Sequence, residues 1–318
     1  MLTRGHALEV VCRASGLSTH SQHVAHLKND GRAGIDAALV KRLISTQFPQ
    51  WTDLPVVPVE IEGWDNRTYR LGDEMTVRLP THEAYAPAVE KEDRWLPILA
   101  PLLPVPIPVP LAMGAPGEGY PFNWSIRNWL DGETASVHRL SDSDTLALAV
   151  ADFLLALQRI DPAGGPQAGP HSFYRGAPPA HYDNETRRCL GELDGRIDTA
   201  KASAVWDAAL AAHAHRPPVW FHGDVASGNL LVRDGKLAGV LDFGTSGVGD
   251  PACDLVIAWT LFSGGSRETF RQRAAQDAAT WARARGWALW KALIGLVGDI
   301  DTNRRIINDV LTDHEGYG

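Results

Sequence analysis

The chain has 318 residues, 44% hydrophobic and 21% charged, with 30 basic against 38 acidic side chains and a formal net charge of −8. That suits one large or two modest cored units of an ordinary globular enzyme, and it argues against nucleic acid as a partner, since clustered Lys and Arg grip that backbone. Cys12, Cys189 and Cys253 stand far apart without CxxC spacing, no apolar run is long enough to cross a bilayer, and Glu9 and Arg13 interrupt any signal-peptide core, so a disulfide framework, a zinc cluster and a membrane partner are excluded and the cytoplasm is expected.

In chain order, residues 1–33 read as a polar N-terminal extension. The apolar spacing from Ile35 to Ile44 predicts a helix that ends near Phe48-Pro49. Val56 to Ile61 alternates as a strand, Gly63 to Arg67 is a polar turn, and Thr68–Leu71 and Met75–Leu79 form a hairpin about Gly72-Asp73. A charged helix follows over Ala86–Leu96, with Pro87 in its first turn and Pro97 expected to end it. The proline-rich stretch Pro101–Pro110 predicts an extended connector, and Tyr120–Trp129 a strand. Beyond it the pattern turns helical: Leu146–Ile160, a Gly/Pro-rich loop over Asp161–Pro179, then an Ala-rich helix over Tyr182–His213 that Pro217-Pro218 stops. Val219–Asp254 interrupts with short strands and loops rich in Gly and Asp, and the chain from Leu255 is helical again.

The chemistry concentrates in that interruption. An apolar strand, Val219-Trp-Phe, delivers His222-Gly-Asp224 and, five residues on, Asn229; a second strand turns at Asp234-Gly235 and returns to Asp242-Phe-Gly244. Three oxygen-bearing side chains therefore converge at one end of a hairpin. Such hard ligands suit Mg²⁺, which takes one or two carboxylates together with substrate phosphates. An Asp, an Asn five positions later, and then Asp-Phe-Gly is the spacing of phosphoryl-transferring kinases. Asp224 is placed to accept or orient a substrate hydroxyl, and Asn229 and Asp242 to hold the metal. His222 joins the catalytic loop as the residue that orients it.

From Ile35 onward these residues resemble the aminoglycoside phosphotransferase family, most specifically in His222-Gly-Asp224 to Asn229 and in the run Asp242-Phe-Gly-Thr-Ser-Gly-Val-Gly-Asp250-Pro-Ala-Cys-Asp254-Leu255. The resemblance implies an α+β, two-lobed protein-kinase-like fold: a small antiparallel β lobe over residues 34–127 that binds nucleotide, and a larger, mainly helical lobe over 128–318 that is catalytic and binds the acceptor. It implies that Asp254 ties the catalytic loop from below; Asp250 reads better as a helix cap ahead of Pro251. On the nucleotide side it implies Asn66 in a short loop over the phosphates, Arg78 in place of the usual lysine, Glu92 as its partner with Glu90 second, and Arg127, Asn128 and Trp129 at the hinge that meets the adenine. Gly223 and Ala226 stand where protein kinases carry basic residues, which favours a small acceptor over a protein.

The function expected is thus an ATP-dependent phosphotransferase, GTP being the other possible donor, acting with Mg²⁺ on a hydroxyl of a cationic, aminoglycoside-like acceptor, as in antibiotic resistance. Asp183, Glu185, Asp299 and Asp301 are the carboxylates available for its ammonium groups. A metabolic kinase for a sugar, amino alcohol or other antibiotic is the alternative, and a catalytically inactive nucleotide-binding module the third reading.

Overall fold

The computed structural model describes residues 34–60, 63, 65–135, 143–296 and 299–317. The expected extension over 1–33, and part of the turn before Asn66, lie outside them. Asp36 opens helix α1 (Ala37–Gln47) by accepting from Leu39 N–H at 2.8 Å, and Leu39, Val40, Leu43 and Ile44 form its buried stripe. A five-stranded antiparallel sheet follows in the order β1-β2-β3-β5-β4, built from β1 (Val56–Pro58), β2 (Asn66–Leu71), β3 (Met75–Pro80), β4 (Pro110–Gly114) and β5 (Trp124–Asn128). Strand β2 begins two residues earlier than its sequence suggests, because Asn66 and Arg67 pair with Pro80 and Leu79. Strand β4 was hidden by its prolines: as an outer strand it tolerates Pro110, where the missing N–H has no ladder to break.

Between β3 and β4 runs helix α2 (Pro87–Leu99), which continues past Pro97 instead of ending there. Pro97 falls in the last turn, and the Ala100 N–H still reaches Leu96 O, so the lost bond costs the helix little. The C-terminal part contains α3 (Ser143–Gln158), α4 (Asp183–Glu192), α5 (Thr199–Ala211), the single turn α6 (Ile257–Thr260), α7 (Gly264–Ala274), α8 (Ala278–Gly295) and α9 (Ile300–Tyr317). The helix expected over Tyr182–His213 is in fact two. Gly195 adopts φ +72° and Asp198 caps a new start by accepting from Lys201 N–H, so a turn interrupts the Ala-rich pattern.

Two hydrophobic clusters divide the molecule. One joins α1 to the sheet through Leu43, Tyr69, Val77, Trp124 and Ile126. The larger one gathers the helices about Phe153, Trp206, Trp259 and Trp287, and takes in Leu96 and Leu99 from α2. Embedded in the helical part are five short strands. β7 (Val219–Phe221) pairs antiparallel with β10 (Gly247–Gly249), and β8 (Leu230–Arg233) lies between β6 (Glu133–Thr134) and β9 (Lys236–Val240). The β8–β9 hairpin turns at Asp234-Gly235, both in the left-handed region, as its sequence demands.

Candidate active site

The catalytic loop leaves β7 and is tied at every step. Asp254, fully buried, accepts from the backbone N–H of His222 at 2.8 Å and of Gly223 at 2.6 Å. His222 is equally buried; its Nε2 lies 2.9 Å from Leu241 O, its Nδ1 accepts from Asp224 N–H at 3.2 Å, and its ring sits edge-on to Phe243. Both ring nitrogens are engaged with backbone groups, which fixes the ring within the loop. Gly223 has φ +89°, and a Cβ there would meet Thr245 Oγ1 at 2.8 Å, so no side chain fits this position. Thr245 closes the loop from the other side by donating to His222 O. Asp250 caps the turn at Pro251 by accepting from Ala252 N–H, and also receives the fork of buried Arg283 at 2.6 and 3.1 Å.

These ties bring three groups to one place. Asn229 donates through Nδ2 to Asp224 O at 2.9 Å and to Asp224 Oδ2 at 3.3 Å, which leaves its Oδ1 as the group able to face a cation. The Leu241 N–H donates to Asn229 O at 2.7 Å, setting Asp242 beside it. Asp242 holds a left-handed φ of +64°, a conformation rare for residues other than glycine and Asn/Asp, such as strained functional sites retain. Its Oδ1 receives Arg78 Nη2 at 2.9 Å. One carboxylate and one amide oxygen are what a Mg²⁺ ion shared with phosphates takes from a protein.

Glu92 is the centre of a buried charge network. Arg127 forks onto it at 2.8 and 3.0 Å, whereas Arg78 lies 3.7 Å away. The tighter partner therefore comes from β5, and the Arg127 side chain faces inward onto Glu92. Burial would raise the Glu92 carboxyl, but Arg127 and Arg78 overcome it and hold the group at about 2. Arg78 loses stabilisation by burial and regains more from Asp242 and Glu92, so it stays a cation. Glu90 is exposed and accepts from Asn123. Next to Glu92, Lys91 crosses to the Asp242 loop and donates to Gly244 O at 2.5 Å and Ser246 O at 2.9 Å; burial lowers it to about 8.

At the expected hinge, the Asn128 N–H donates to Val109 O and its Oδ1 accepts from Val109 N–H, while the Trp129 N–H donates to Glu74 O. These donors are committed within the sheet, so an adenine edge would have to meet carbonyls here or groups further along. The Trp129 indole is engaged as well, with Nε1 on Asp131 and the Arg70 guanidinium 4.4 Å over its ring. Asn66, in β2, pairs opposite Pro80. Its neighbour Asp65 was read only as a turn residue. Burial, with the charge of Asp242, pushes that carboxyl up to about 7, which places it electrostatically among the Asp224 and Asp242 carboxylates.

Lys291 is the residue that sequence reasoning missed. From α8 its ammonium donates to Asp224 Oδ1 at 2.8 Å, supplying from a distant helix the cation absent at Ala226. Burial would raise the Asp224 carboxyl, but Lys291, with Arg175 and His222, holds it down to about 2. Around this pair a narrow recess is lined by Arg175, Cys253, Trp287 and Trp290. Three of the four carboxylates expected to meet ammonium groups are otherwise occupied. Asp183 receives Arg187 and Trp206, buried Glu185 receives Trp290 Nε1 at 2.9 Å, and Asp299 caps α9 by accepting from Thr302 N–H, with Asp301 exposed beside it. A cavity of about 660 Å³ includes Asp250 and Arg283 in its wall but none of Asp224, Asn229 or Asp242.

A small antiparallel sheet, a larger helical part, and an Asp-Asn loop facing an Asp-Phe-Gly loop define a kinase-like phosphotransferase architecture. The profile of the phosphotransferase enzyme family (APH) matches residues 57–287, and the chain belongs to that family. An aminoglycoside 3'-phosphotransferase of Escherichia coli is 34% identical over 71 residues, which span 22% of this chain and 26% of that enzyme. Among solved structures, the GDP and kanamycin complex of APH(2")-IIia superposes with a TM-score of 0.64 at 19% identity, over 88% of this chain and 99% of the other. The macrolide 2'-phosphotransferase MphH of Brachybacterium faecium does so at 0.56 and 21%, over 87% and 97%.

Proposed function

We propose that the protein transfers the γ-phosphoryl group of ATP to a hydroxyl of a small molecule in the presence of Mg²⁺. The observation that carries this reading is the convergence of Asp224, Asn229 and Asp242, with Arg78 on the Asp242 carboxylate. Asn229 Oδ1 and Asp242 would hold the ion, which would supply charge neutralisation for the nucleotide phosphates. Arg78 turns from Asp242 toward phosphate oxygens as they enter, because its planar fork suits either anion. Asp224 orients the acceptor hydroxyl. That oxygen bonds to the γ-phosphorus as the bond to the β,γ-bridging oxygen breaks; ADP leaves with the electron pair, and the hydroxyl proton passes to Asp224 and then to water. A carboxylate held at about 2 is a weak base, so orientation matters more here than proton abstraction.

Phosphorus NMR of Mg²⁺-ATP with hydroxylated small molecules tests the reading. Asp224→Asn should cut transfer by roughly 10²–10⁴-fold while leaving nucleotide affinity near that of the parent. Transfer at the parent's rate by Asp224→Asn would remove this carboxylate from the reaction.

A further inference from the structure

The acceptor side of Asp224 presents cations and N–H donors where a polycationic substrate would need carboxylates. Two strained residues, Phe173 at φ +47° and Tyr174 at φ +55°, set up Arg175, whose backbone N–H is tied to Ser172 O. The Arg175 guanidinium stacks 4.7 Å over the Trp290 ring and donates to Phe173 O, and among the described residues it forms no ion pair. The guanidinium also interacts with the Tyr182 hydroxyl and the Asp224 carboxylate, and its remaining donors are left for something else. Lys291 stands in the same recess on Asp224. Trp287, 2% exposed, lines it too, and its buried Nε1 has no hydrogen-bond partner. The great majority of buried donors are satisfied, and an oxygen entering the recess, from water or from a ligand, would supply the partner that this one lacks. Against these three donors stands one carboxylate, Asp224, whose proposed task is the hydroxyl. The carboxylates nearest in sequence to the recess, Asp183 and Glu185, are turned to Trp206, Arg187 and Trp290.

We infer that the acceptor is a hydroxylated molecule with an anionic end of the carboxylate class, held by Arg175 and Trp287 beside Asp224, and not an aminoglycoside polycation. The space enclosed there is about 10 Å³, room for one water-sized group, so only an oxygen of the anionic end enters it and the rest of the acceptor stays outside. This rests on the phosphotransferase reading. Phosphoryl transfer to the hydroxyl proceeds with the bonds described above, and the anionic end takes no part in them.

Calorimetric titration in saturating Mg²⁺-ADP tests the inference without needing turnover. The probes are 4-(hydroxymethyl)benzoate, its amide, 4-(hydroxymethyl)benzylamine and kanamycin. The carboxylate should bind at least about tenfold tighter than the amide or either amine, the scale of one charge-assisted hydrogen bond. Arg175→Gln should erase that preference and Arg175→Lys should restore part of it, with unchanged Mg²⁺-ADP affinity showing that both variants are folded. Kanamycin or the benzylamine binding as well as the carboxylate, a preference that survives Arg175→Gln, or no carboxylate binding in the millimolar range would each overturn it. Absence of Mg²⁺-ADP binding by the parent protein would instead overturn the phosphotransferase reading.

Discussion

Asp224 and Lys291 share one hydrogen bond across 67 positions of sequence, and their pairing fixes how the site responds to acid. The folded value of about 2 lies below the ordinary 3.8, so the carboxylate stays ionised through mildly acidic conditions. Removing the ammonium leaves burial, which acts upward. In Lys291→Met the acid limb of kcat/KM should therefore move to higher pH by about a unit or more, and kcat should fall as well if the ammonium also meets the transferring phosphoryl group. A pH–rate profile of parent and variant reads both. An acid limb at the same pH in the two proteins would mean that Lys291 does not set the ionisation of Asp224. At this scale the sequence was legible where the candidate site is local. His222, Asp224 and Asn229 lie within one loop, and Asp242 one hairpin away, so spacing alone announced them. Lys291, Arg175 and the orphan Trp287 carry no such signature, because each acts through a contact that only the folded chain creates.

Among the elements, α2 has the most divided duties. Its Leu96 and Leu99 belong to the helical core, its Glu92 is held by β5 and β3, and its Lys91 fastens the Asp242 loop. Sequence paired Glu92 with Arg78 and assigned Arg127 to the nucleotide hinge, whereas the shorter contacts to Glu92 come from Arg127; 35 residues separate the two, and nothing in a strand reveals where a buried guanidinium turns. The strand β4 and the break between α4 and α5 were missed for a related reason: prolines and alanines speak about backbone preference, while pairing and packing decide the outcome. Breaking the network should be costly. Arg127→Met leaves Glu92 with the longer Arg78 contact alone, and the loss of a buried partner is worth about 3–5 kcal/mol, readable as a lower denaturant midpoint. Its pH dependence has a definite sign. The folded Glu92 value of about 2 lies under 4.5, so the stabilisation is complete above about pH 4.5 and is lost as pH falls toward 2. Parent and Arg127→Met should converge in stability over that acid range. A constant gap between them from pH 7 to pH 3 would place the effect in packing instead of charge.

For the whole molecule, the Arg78–Asp242 ion pair ties β3 of the sheet to the loop that follows β9 in the helical part. Arg78 occupies the very carboxylate proposed for the metal. Binding must therefore exchange one partner for another: Asp242 gains the cation, and Arg78 gains the phosphates that come with it. Neither half of the exchange is favourable alone, since a bare metal must displace Arg78 and bare ATP leaves its charge beside Asp242. The two ligands should consequently bind with positive coupling, each raising the affinity of the other by the same factor. At a hundred times its dissociation constant a ligand adds about 2.7 kcal/mol to folding, so Mg²⁺ with ATP should raise Tm by several degrees, while Mg²⁺ alone or ATP in chelator should give much less than half that shift each. In Asp242→Asn the coupling should vanish: ATP should then stabilise the protein equally with Mg²⁺ and with chelator. Differential scanning fluorimetry of both proteins over the four ligand conditions measures this directly. If the parent responded to ATP in chelator as fully as to Mg²⁺-ATP, Asp242 would not be the metal's anchor, and the Arg78 contact would be a structural tie between the two cores rather than one exchanged on binding.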